Sequence, residues 1–257
     1  MKSVERTDYS LAPMSDPYLS IVIPAYNEFL RVGKTLEEVR KYASSRSFET
    51  EIILVDDGSG DRTLDLLREF QSLWPQTRVL SNEVNRGKGF SVRRGVLEAR
   101  GKVILFTDAD LSAPIEEADK LFASLESESA DAAVGSRALD RKLIGVRQPW
   151  RREYAGRFFN LLVQLFTGLK IHDTQCGLKL FRRESTRRAF ELQRVERFGF
   201  DPEILFLIRR FGGKIVEVPV RWNDNPATKV HFLRDSALMF LDLIVLRWRA
   251  WSGSYPG

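Results

Sequence analysis

The sequence predicts an α/β fold, with a mainly parallel sheet flanked by helices on both faces. Two observations carry this prediction. Short apolar runs alternate with longer segments of helical spacing through the first half of the chain, and polar clusters follow the runs. This alternation is typical of parallel sheets, in which the loops after the strands share one edge. A length of 257 residues suits one large domain of this class.

The predicted strands are five apolar runs, each of which stops at polar or turn-forming residues. They cover residues 19–23, 51–55, 78–80, 103–106 and 132–134. Helices are predicted between them, over residues 28 or 30 to 43, 61–73, 88–99 and 114–128. Leu64 and Leu67 show helical spacing, and Pro114 suits a first helical turn, where its missing N–H costs little.

The second half contains two long amphipathic segments, over residues 153–169 and 232–251. The first carries apolar residues on one helical face, at Phe158, Leu161, Leu162, Leu165 and Leu169. The second has a polar line at Asp235, Asp242 and Arg249 and an aromatic, basic end. Each segment is either an ordinary core helix or a helix at a membrane interface. The expected organisation is a loose tail over 1–17, one domain over 18–231 and a C-terminal interface helix over 232–251.

Composition and charge narrow the class of protein. The formal net charge is +5, and the basic excess is concentrated between Arg137 and Arg157. Such a segment can bind nucleic acid, anionic lipid or a phosphorylated substrate, but no nucleic-acid module is recognisable. No stretch is long and apolar enough to span a bilayer, and the N-terminal segment is not expected to be a signal peptide. The single cysteine, Cys176, excludes an internal disulfide and fits a reducing compartment.

Two carboxylates, Asp108 and Asp110, follow the fourth predicted strand with only Ala109 between them. Hard oxygen ligands of this kind suit Mg²⁺ or Mn²⁺, ions that usually bridge carboxylates and substrate phosphates. The alternative is ordinary turn and N-cap chemistry. Polar clusters at residues 24–28, 56–59 and 85–89 follow the other strands. Four clusters at one edge favour a metal site for a nucleotide diphosphate, although neither a P-loop nor a dinucleotide fingerprint is present.

These motifs resemble those of the family 2 glycosyltransferases, which have the GT-A fold. The likeness covers about residues 18–246 and rests on residues 21–28, 55–59, 85–89, 107–110, 134–137 and 173–179. Within the family the chain looks most like the dolichyl-phosphate β-glucosyltransferases and related polyprenyl-phosphate sugar transferases. Asp-Thr-Gln-Cys-Gly at 173–177 and Phe-Asp-Pro-Glu at 200–203 favour the glucosyl branch.

By this resemblance, a set of residues is expected to bind the nucleotide sugar. They are Pro24, Tyr26, Glu28, Asp56, Asp57, Gly87, Lys88, Asp108, Ala109, Asp110 and Lys229. Asp110 is expected to bind Mg²⁺ or Mn²⁺, with Asp108 beside it toward the ribose or sugar. Ser112 stands where mannose transferases often carry glutamine, which argues against a mannose donor and leaves the third protein ligand of the metal open.

The resemblance also assigns residues to the acceptor side. Arg137 and an arginine of the pair Arg151 and Arg152 are expected to contact the acceptor phosphate, which the guanidinium fork binds bidentately. Further catalytic or positioning candidates are Asp173 and Asp201, and each could equally be a structural cap. No general base is assigned, because a phosphomonoester is already ionised near neutral pH. The remaining reactive residue types, at His172, His231 and Cys176, are expected to be incidental or packed.

The expected activity is inverting, metal-dependent transfer of glucose from UDP-glucose to dolichyl phosphate or another polyprenyl phosphate. The alternatives are another sugar nucleotide such as GDP-mannose, a saccharide acceptor, or a non-catalytic membrane adaptor that binds a nucleotide sugar. The expected location is the cytoplasmic face of a membrane, where the amphipathic helices would hold the protein peripherally.

Overall fold

The computed structural model describes residues 16–225 and 232–255, with side chains from residue 235 onward in the second range. The predicted tail over 1–17 lies largely outside these ranges, as do Lys229 and His231. The helices are α1 (Val32–Ser44), α2 (Thr63–Leu73), α3 (Lys88–Glu98), α4 (Ala118–Ser127), α5 (Trp150–Thr167), α6 (Arg183–Leu192), α7 (Phe200–Arg210) and α8 (Phe232–Trp251). The strands are β1 (Leu19–Ala25), β2 (Thr50–Asp56), β3 (Thr77–Ser81), β4 (Val103–Thr107), β5 (Ala132–Ser136), β6 (Ile144–Val146), β7 (Leu178–Arg182), β8 (Ile215–Pro219) and β9 (Trp222–Asn223).

Seven strands form one sheet in the order β3-β2-β1-β4-β7-β5-β8. Strand β7 runs antiparallel to both of its neighbours, and all other pairs in this sheet are parallel. The predicted mainly parallel α/β sheet is therefore confirmed, and β7 and β8 extend it beyond the five predicted strands. Strands β6 and β9 pair separately, beside the loop that follows β5.

Apolar side chains that alternate along the strands supply a core on each face of the sheet. On β1, Ile21 and Ile23 pack with helices α1, α2 and α4, whereas Val22 packs on the opposite face with α3, α6 and α7. This division places helices on both faces, as predicted. All residues of α7 from Phe200 to Ile208 are buried, so this helix is a central support for the second face.

Three predicted helices begin or end at other residues than expected. Helix α1 begins at Val32 rather than at residue 28 or 30, because residues 26–31 form a loop at the sheet edge. The predicted helix over 114–128 is a 3₁₀ turn, Ile115–Glu117, followed by α4. Helix α5 begins at Trp150 and ends at Thr167, because Gly168 adopts the left-handed conformation that closes helices (φ 72°).

The two amphipathic segments form α5 and α8, which pack against each other through Phe166 and Phe240. Both helices leave large apolar side chains in solvent. On α5 these are Trp150, Tyr154, Phe158, Leu161 and Leu165, and on α8 they include Leu241, Ile244, Val245, Trp248 and Trp251. Because core helices bury such residues, these two helices are not ordinary core helices.

Helix α8 places a polar side chain against the domain and several apolar side chains in solvent. The carboxylate of Asp242, in the predicted polar line, packs on Gly199 of the domain, and burial raises the pKa of Asp242. Leu241 and Ile244, close to it on the same helix, are exposed. Within the described ranges, no helix has both the length and the hydrophobicity needed to cross a membrane.

Candidate active site

The loops after β1 and β2 are joined at the carboxyl edge of the sheet by Asp57. Its backbone N–H donates to the carbonyl of Ala25 at 2.8 Å. Its buried carboxylate accepts from Asn82 Nδ2 at 2.7 Å, from the Arg86 amide at 3.0 Å and from the Gly87 amide at 2.8 Å. Asp57 therefore fixes the conformation of the loop after β3, including the residues directly before α3.

Asp56 precedes it and is 1% exposed. One of its carboxylate oxygens, Oδ2, accepts from the Ser59 amide at 3.3 Å and lies 3.4 Å from the Ser81 hydroxyl. The other, Oδ1, is buried and has no hydrogen-bond partner among the described residues. A buried carboxylate oxygen without a donor is costly, so Oδ1 suits a donor group on a ligand.

The loop after β1 presents Tyr26, Asn27 and Glu28 at the same edge. Asn27 has a positive φ of 52° and is held by Ser59 and Gly60 of the neighbouring loop. Tyr26 is 38% exposed, whereas Glu28 is buried. Glu28 receives a hydrogen bond from Arg31 Nη2 at 2.6 Å, and this interaction raises the pKa of the guanidinium.

The side chain of Asp108 meets Lys88 across the edge. Lys88 Nζ lies 2.7 Å from Asp108 Oδ1, and Gly87, with a φ of 109°, starts α3 in the conformation that brings the lysine there. Burial acts to lower the pKa of Lys88, but the attraction of Asp108 and Asp201 outweighs it and raises that pKa. Lys88 is therefore a fixed positive charge beside the Asp-x-Asp motif.

Asp110 is two residues further along the chain than Asp108. Its Oδ1 accepts from the Ser112 amide at 3.0 Å, and Leu111 between them has a positive φ of 45°. Burial, and then repulsion from Asp108, raises the pKa of Asp110, while Arg31 opposes this shift. Arg31 was not predicted as a site residue, because it belongs to none of the family motifs. Its position three residues after Glu28 was the feature of the sequence that could have indicated it.

The carboxylates of Asp108 and Asp110 suit a divalent cation that a bound substrate also coordinates. Among the described residues no group of three or more His, Cys, Asp or Glu side chains could hold a metal ion. Two partly buried carboxylates, one residue apart in the chain, are nevertheless the usual protein share of a Mg²⁺ site that substrate phosphates complete.

Asp201 lies at the N-terminal end of α7, close enough to Lys88 to help raise the pKa of that lysine. It is 3% exposed, and its Oδ1 is 2.6 Å from Nζ of Lys179, which is equally buried on β7. Lys179 also donates to the carbonyl of Cys176 at 2.5 Å. The structure thus places Asp201 in an internal ion pair with Lys179 and not on an open surface.

A second site is a cavity of about 350 Å³ between the loop after β5, α5, β9 and α8. Its wall combines guanidinium groups with apolar side chains. The arginines include Arg137, Arg141, Arg147 and Arg152, and the apolar residues include Ile144, Phe159, Phe198, Trp222 and Met239. Arg141 and Arg147 were counted in the basic segment but not singled out. Arg151 is exposed, lies over the ring of Trp150 and does not line this cavity.

Arg137 is held in the wall by Asp173. The guanidinium donates through Nε at 2.6 Å and Nη2 at 2.8 Å, and the Arg137 amide donates to the same carboxylate at 3.0 Å. Burial alone would raise the pKa of Asp173, but the charge of Arg137 outweighs it and holds that pKa below its ordinary value. The face of Arg137 lies 5.2 Å from the ring of Trp222. Asp173 therefore orients Arg137.

The segment from Asp173 to Gly177 borders both sites. Asp173 holds Arg137 at the cavity, and the Gly177 carbonyl accepts from the Asp108 amide at 3.1 Å. A Cβ atom added to Gly177 would lie 1.9 Å from Asp108 Oδ2, so only glycine fits beside this carboxylate. Cys176 between them is fully buried, which raises the pKa of its thiol to about 12 and leaves it a packed residue.

Known proteins resemble this chain in sequence and in fold. Residues 20–190 match the family model described as glycosyl transferase family 2. A dolichyl-phosphate beta-glucosyltransferase of Trichomonas vaginalis is 39% identical over 223 residues, which is 83% of this chain and 68% of that protein. The Homo sapiens dolichyl-phosphate beta-glucosyltransferase is 34% identical over 250 residues, which is 92% of this chain and 77% of that protein.

Two solved structures show the same fold. Glucosyl-3-phosphoglycerate synthase from Mycobacterium tuberculosis, in complex with Mn²⁺, UDP-glucose and phosphoglyceric acid, superimposes with a TM-score of 0.64 at 19% identity, covering 90% of this chain and 78% of that one. Mannosyl-3-phosphoglycerate synthase from Rubrobacter xylanophilus gives a TM-score of 0.65 at 19% identity, covering 94% and 76%. At this identity the likeness concerns the fold.

The sheet, the acidic loops at its edge and these neighbours define a glycosyltransferase of the GT-A fold. The chain belongs to glycosyl transferase family 2 and is similar to the dolichyl-phosphate β-glucosyltransferases. The predicted family and the predicted enzyme class are confirmed.

Proposed function

We propose that this glycosyltransferase transfers glucose from UDP-glucose to dolichyl phosphate or another polyprenyl phosphate, with inversion at the sugar. The observation that carries the proposal is the cavity of arginines and apolar side chains next to the acidic sheet edge. A lipid phosphate needs both kinds of side chain, because its head is an anion and its tail is a hydrocarbon. The names of the relatives support glucose as the transferred sugar and dolichyl phosphate as the acceptor.

On the donor side, the loops after β1 to β4 are proposed to bind the nucleotide sugar. The orphaned Asp56 Oδ1 and the exposed ring of Tyr26 suit the base and ribose, and Lys88 with Arg31 supplies positive charge for the diphosphate. Asp110, with Asp108, would hold Mg²⁺ or Mn²⁺. Such an ion, when bound, neutralises the charge that develops on the departing nucleoside diphosphate. Lys229, which lies outside the described residues, is proposed as a further diphosphate contact.

On the acceptor side, Arg137 and Arg152 are proposed to hold the phosphate so that one of its oxygens faces the sugar. That oxygen forms the new bond to C1 while the bond from C1 to the diphosphate breaks, and attack from the opposite face inverts the configuration. The phosphate oxygen is already ionised near neutral pH, so no side chain has to remove a proton from it. The contribution of the protein is orientation and charge compensation.

The direct test is transfer of label from radiolabelled UDP-glucose to a polyprenyl phosphate, in the presence of Mg²⁺ or Mn²⁺, followed by solvent extraction of the lipid product. The expected result is lipid-phase label that depends on the acceptor and on the metal. Equal transfer from GDP-mannose would contradict the donor assignment. Transfer to a soluble saccharide but not to the lipid would contradict the acceptor.

We also propose that the exposed apolar faces of α5 and α8 hold the enzyme on the cytoplasmic face of a membrane. Exposed aromatic and aliphatic stripes beside a basic segment suit the headgroup region of anionic bilayers. Leu165 on α5 and Leu73 on α2 are both 76% exposed, so they make a matched pair. Leu165→Glu is expected to lower co-sedimentation with vesicles of phosphatidylcholine and phosphatidylserine, while Leu73→Glu leaves it unchanged. Equal binding of both variants would contradict the role of α5.

A further inference from the structure

A histidine lies in the wall of the acceptor cavity and has no assigned role. His172 directly precedes Asp173, and its side chain is 63% exposed. It lines the same cavity as Arg137 and Arg152. The segment that carries it is tied to α5, because Asn160 Nδ2 donates to the Ile171 carbonyl at 2.9 Å and Asn160 Oδ1 accepts from the Thr174 amide at 3.2 Å. These hydrogen bonds on either side of His172 fix its backbone in the cavity wall.

The orientation of the imidazole is set by Glu217 on β8. Glu217 is nearly buried, and its carboxylate lies 2.9 Å from His172 Nδ1. The same carboxylate accepts from the backbone amides of His172 at 2.9 Å and Asp173 at 2.8 Å. A carboxylate that accepts the Nδ1 hydrogen fixes the ring and leaves Nε2 for a ligand, and the doubly protonated ring donates its second hydrogen from Nε2 to an anion.

A second polar group in this wall also lacks a partner. Gln175 lines the cavity, and its side-chain nitrogen is buried with no hydrogen-bond partner among the described residues. Its backbone amide donates to Asp173 at 3.2 Å, so Gln175 and Arg137 are fixed by the same carboxylate. An unsatisfied buried donor beside an arginine and an oriented histidine favours an anionic ligand with several acceptor oxygens.

We propose that His172, held by Glu217, binds the acceptor phosphate through Nε2 and completes a phosphate site with Arg137 and Gln175. This inference rests on the proposed function, since it names a contact of that acceptor. His172 is a binding residue in this scheme, and Glu217 is a positioning residue that acts through it.

The kinetic test compares the KM values of the two substrates in His172→Gln. Because an exposed side chain is changed, the fold is expected to be retained. The KM for polyprenyl phosphate is expected to rise about tenfold, the usual effect of losing one charge-assisted hydrogen bond, while the KM for UDP-glucose stays unchanged. His172→Arg, which places a cationic donor at the same position, is expected to restore most of the acceptor affinity. An unchanged acceptor KM in His172→Gln would overturn the proposal.

Two further variants separate binding from a general effect of charge. Lys170→Ala removes an exposed cation two residues away that does not line the cavity, and it is expected to leave both KM values unchanged. Glu217→Gln is expected to raise the acceptor KM, with no further rise when it is combined with His172→Gln, because the two residues act as a unit. Additive effects of the two substitutions would overturn the positioning role of Glu217.

A spectroscopic test does not need turnover. The chain has two histidines, so ¹⁵N-histidine labelling gives two imidazoles, and the one missing in His172→Gln is His172. Addition of a short-chain isoprenyl monophosphate is expected to shift the His172 Nε2 resonance, whereas the corresponding alcohol leaves it unchanged. If the wild type transfers glucose to the lipid but this resonance does not move, the inference fails and the proposed function stands. If the wild type transfers no glucose to any polyprenyl phosphate, the proposed function itself fails.

Discussion

The proposed donor site at the sheet edge and the proposed acceptor cavity are built in different ways. At the donor edge, each functional loop directly follows one strand of β1 to β4, and the loops hold one another through short hydrogen bonds such as those of Asp57. The cavity is assembled from the loop after β5, α5, β9, α8 and the segment before β7. At the sheet edge, the position of each loop follows from the strand directly before it in the sequence. The cavity instead depends on contacts between distant parts of the chain.

The largest effect is expected at the donor edge, from Asp110→Asn. Loss of one carboxylate charge removes half of the protein share of the proposed metal site, which should lower kcat/KM about 10³-fold, since metal-ion stabilisation is worth several kcal/mol. The melting temperature should change little. The measurement is transfer activity beside a thermal-shift titration of UDP with Mn²⁺.

The matched control for Asp110→Asn is Asp65→Asn, which changes an exposed aspartate in the first turn of α2. It is expected to retain full activity. A metal-dependent UDP shift that persists in Asp110→Asn would show that this edge does not hold the metal.

On the cavity side, Asp173→Asn is expected to act mainly on stability. It leaves the guanidinium of Arg137 without its charge partner and should cost about 3 kcal/mol at pH 7. Because the folded-state pKa of Asp173 lies below its ordinary value, this stabilisation is fully present above the unfolded pKa of about 3.9 and is lost as pH falls through the folded pKa. Urea unfolding of both proteins between neutral and acid pH checks this.

The gap in unfolding free energy between wild type and Asp173→Asn should therefore shrink as the solution is acidified. A gap that stays constant down to strongly acid pH would mean that packing, and not the charge pair, accounts for the loss.

Gly177→Ala tests the segment from Asp173 to Gly177, which borders both sites. The added Cβ would lie 1.9 Å from Asp108 Oδ2, so Asp108 has to move. A displacement of this size at a reacting group is expected to lower kcat about a hundredfold, while the cavity and its acceptor affinity are retained. Steady-state kinetics with both substrates varied is the measurement. Wild-type kcat in this variant would show that Asp108 needs no fixed position.

The smallest effect is expected from another glycine-to-alanine substitution, Gly156→Ala in α5. A Cβ at Gly156 meets nothing within 4 Å, and alanine in a helix interior is more favourable than glycine by about 0.5–1 kcal/mol. Gly156→Ala should therefore raise the melting temperature slightly. A lower melting temperature would mean that α5 needs the flexibility of glycine at this position.

The same contrast explains what the sequence could and could not predict. The four donor loops were recognisable because each polar cluster ends an apolar run. Strand β7 was not predicted, since its segment Leu-Lys-Leu-Phe-Arg has a charge within an apolar run, and only the structure shows Lys179 neutralised by Asp201. The pairing of Arg137 with Asp173 spans 36 positions, a distance at which no local pattern operates.

The amphipathic helices illustrate another limit. Periodicity identified the apolar face of α5 but could not say that Phe159 and Val163 pack on the domain while Phe158 and Leu165 remain exposed. That choice depends on the position of α8, which is more than sixty residues further along the chain. Arg151 and Arg152 are adjacent in sequence, and only their places on the helix put Arg152 at the cavity.

The antiparallel strand β7 has a consequence for how the chain folds. It lies between β4 and β5 in the sheet but follows both of them in the sequence. During synthesis, β1 to β4 can pair as soon as they emerge, and the outer edge of β4 then stays open until residues 178–182 are made. Closing the sheet requires a long-range insertion, a slow step that exposes unpaired backbone to other chains. The strand that carries Lys179 into the core is thus also the one that covers the open edge of β4 in the nascent sheet.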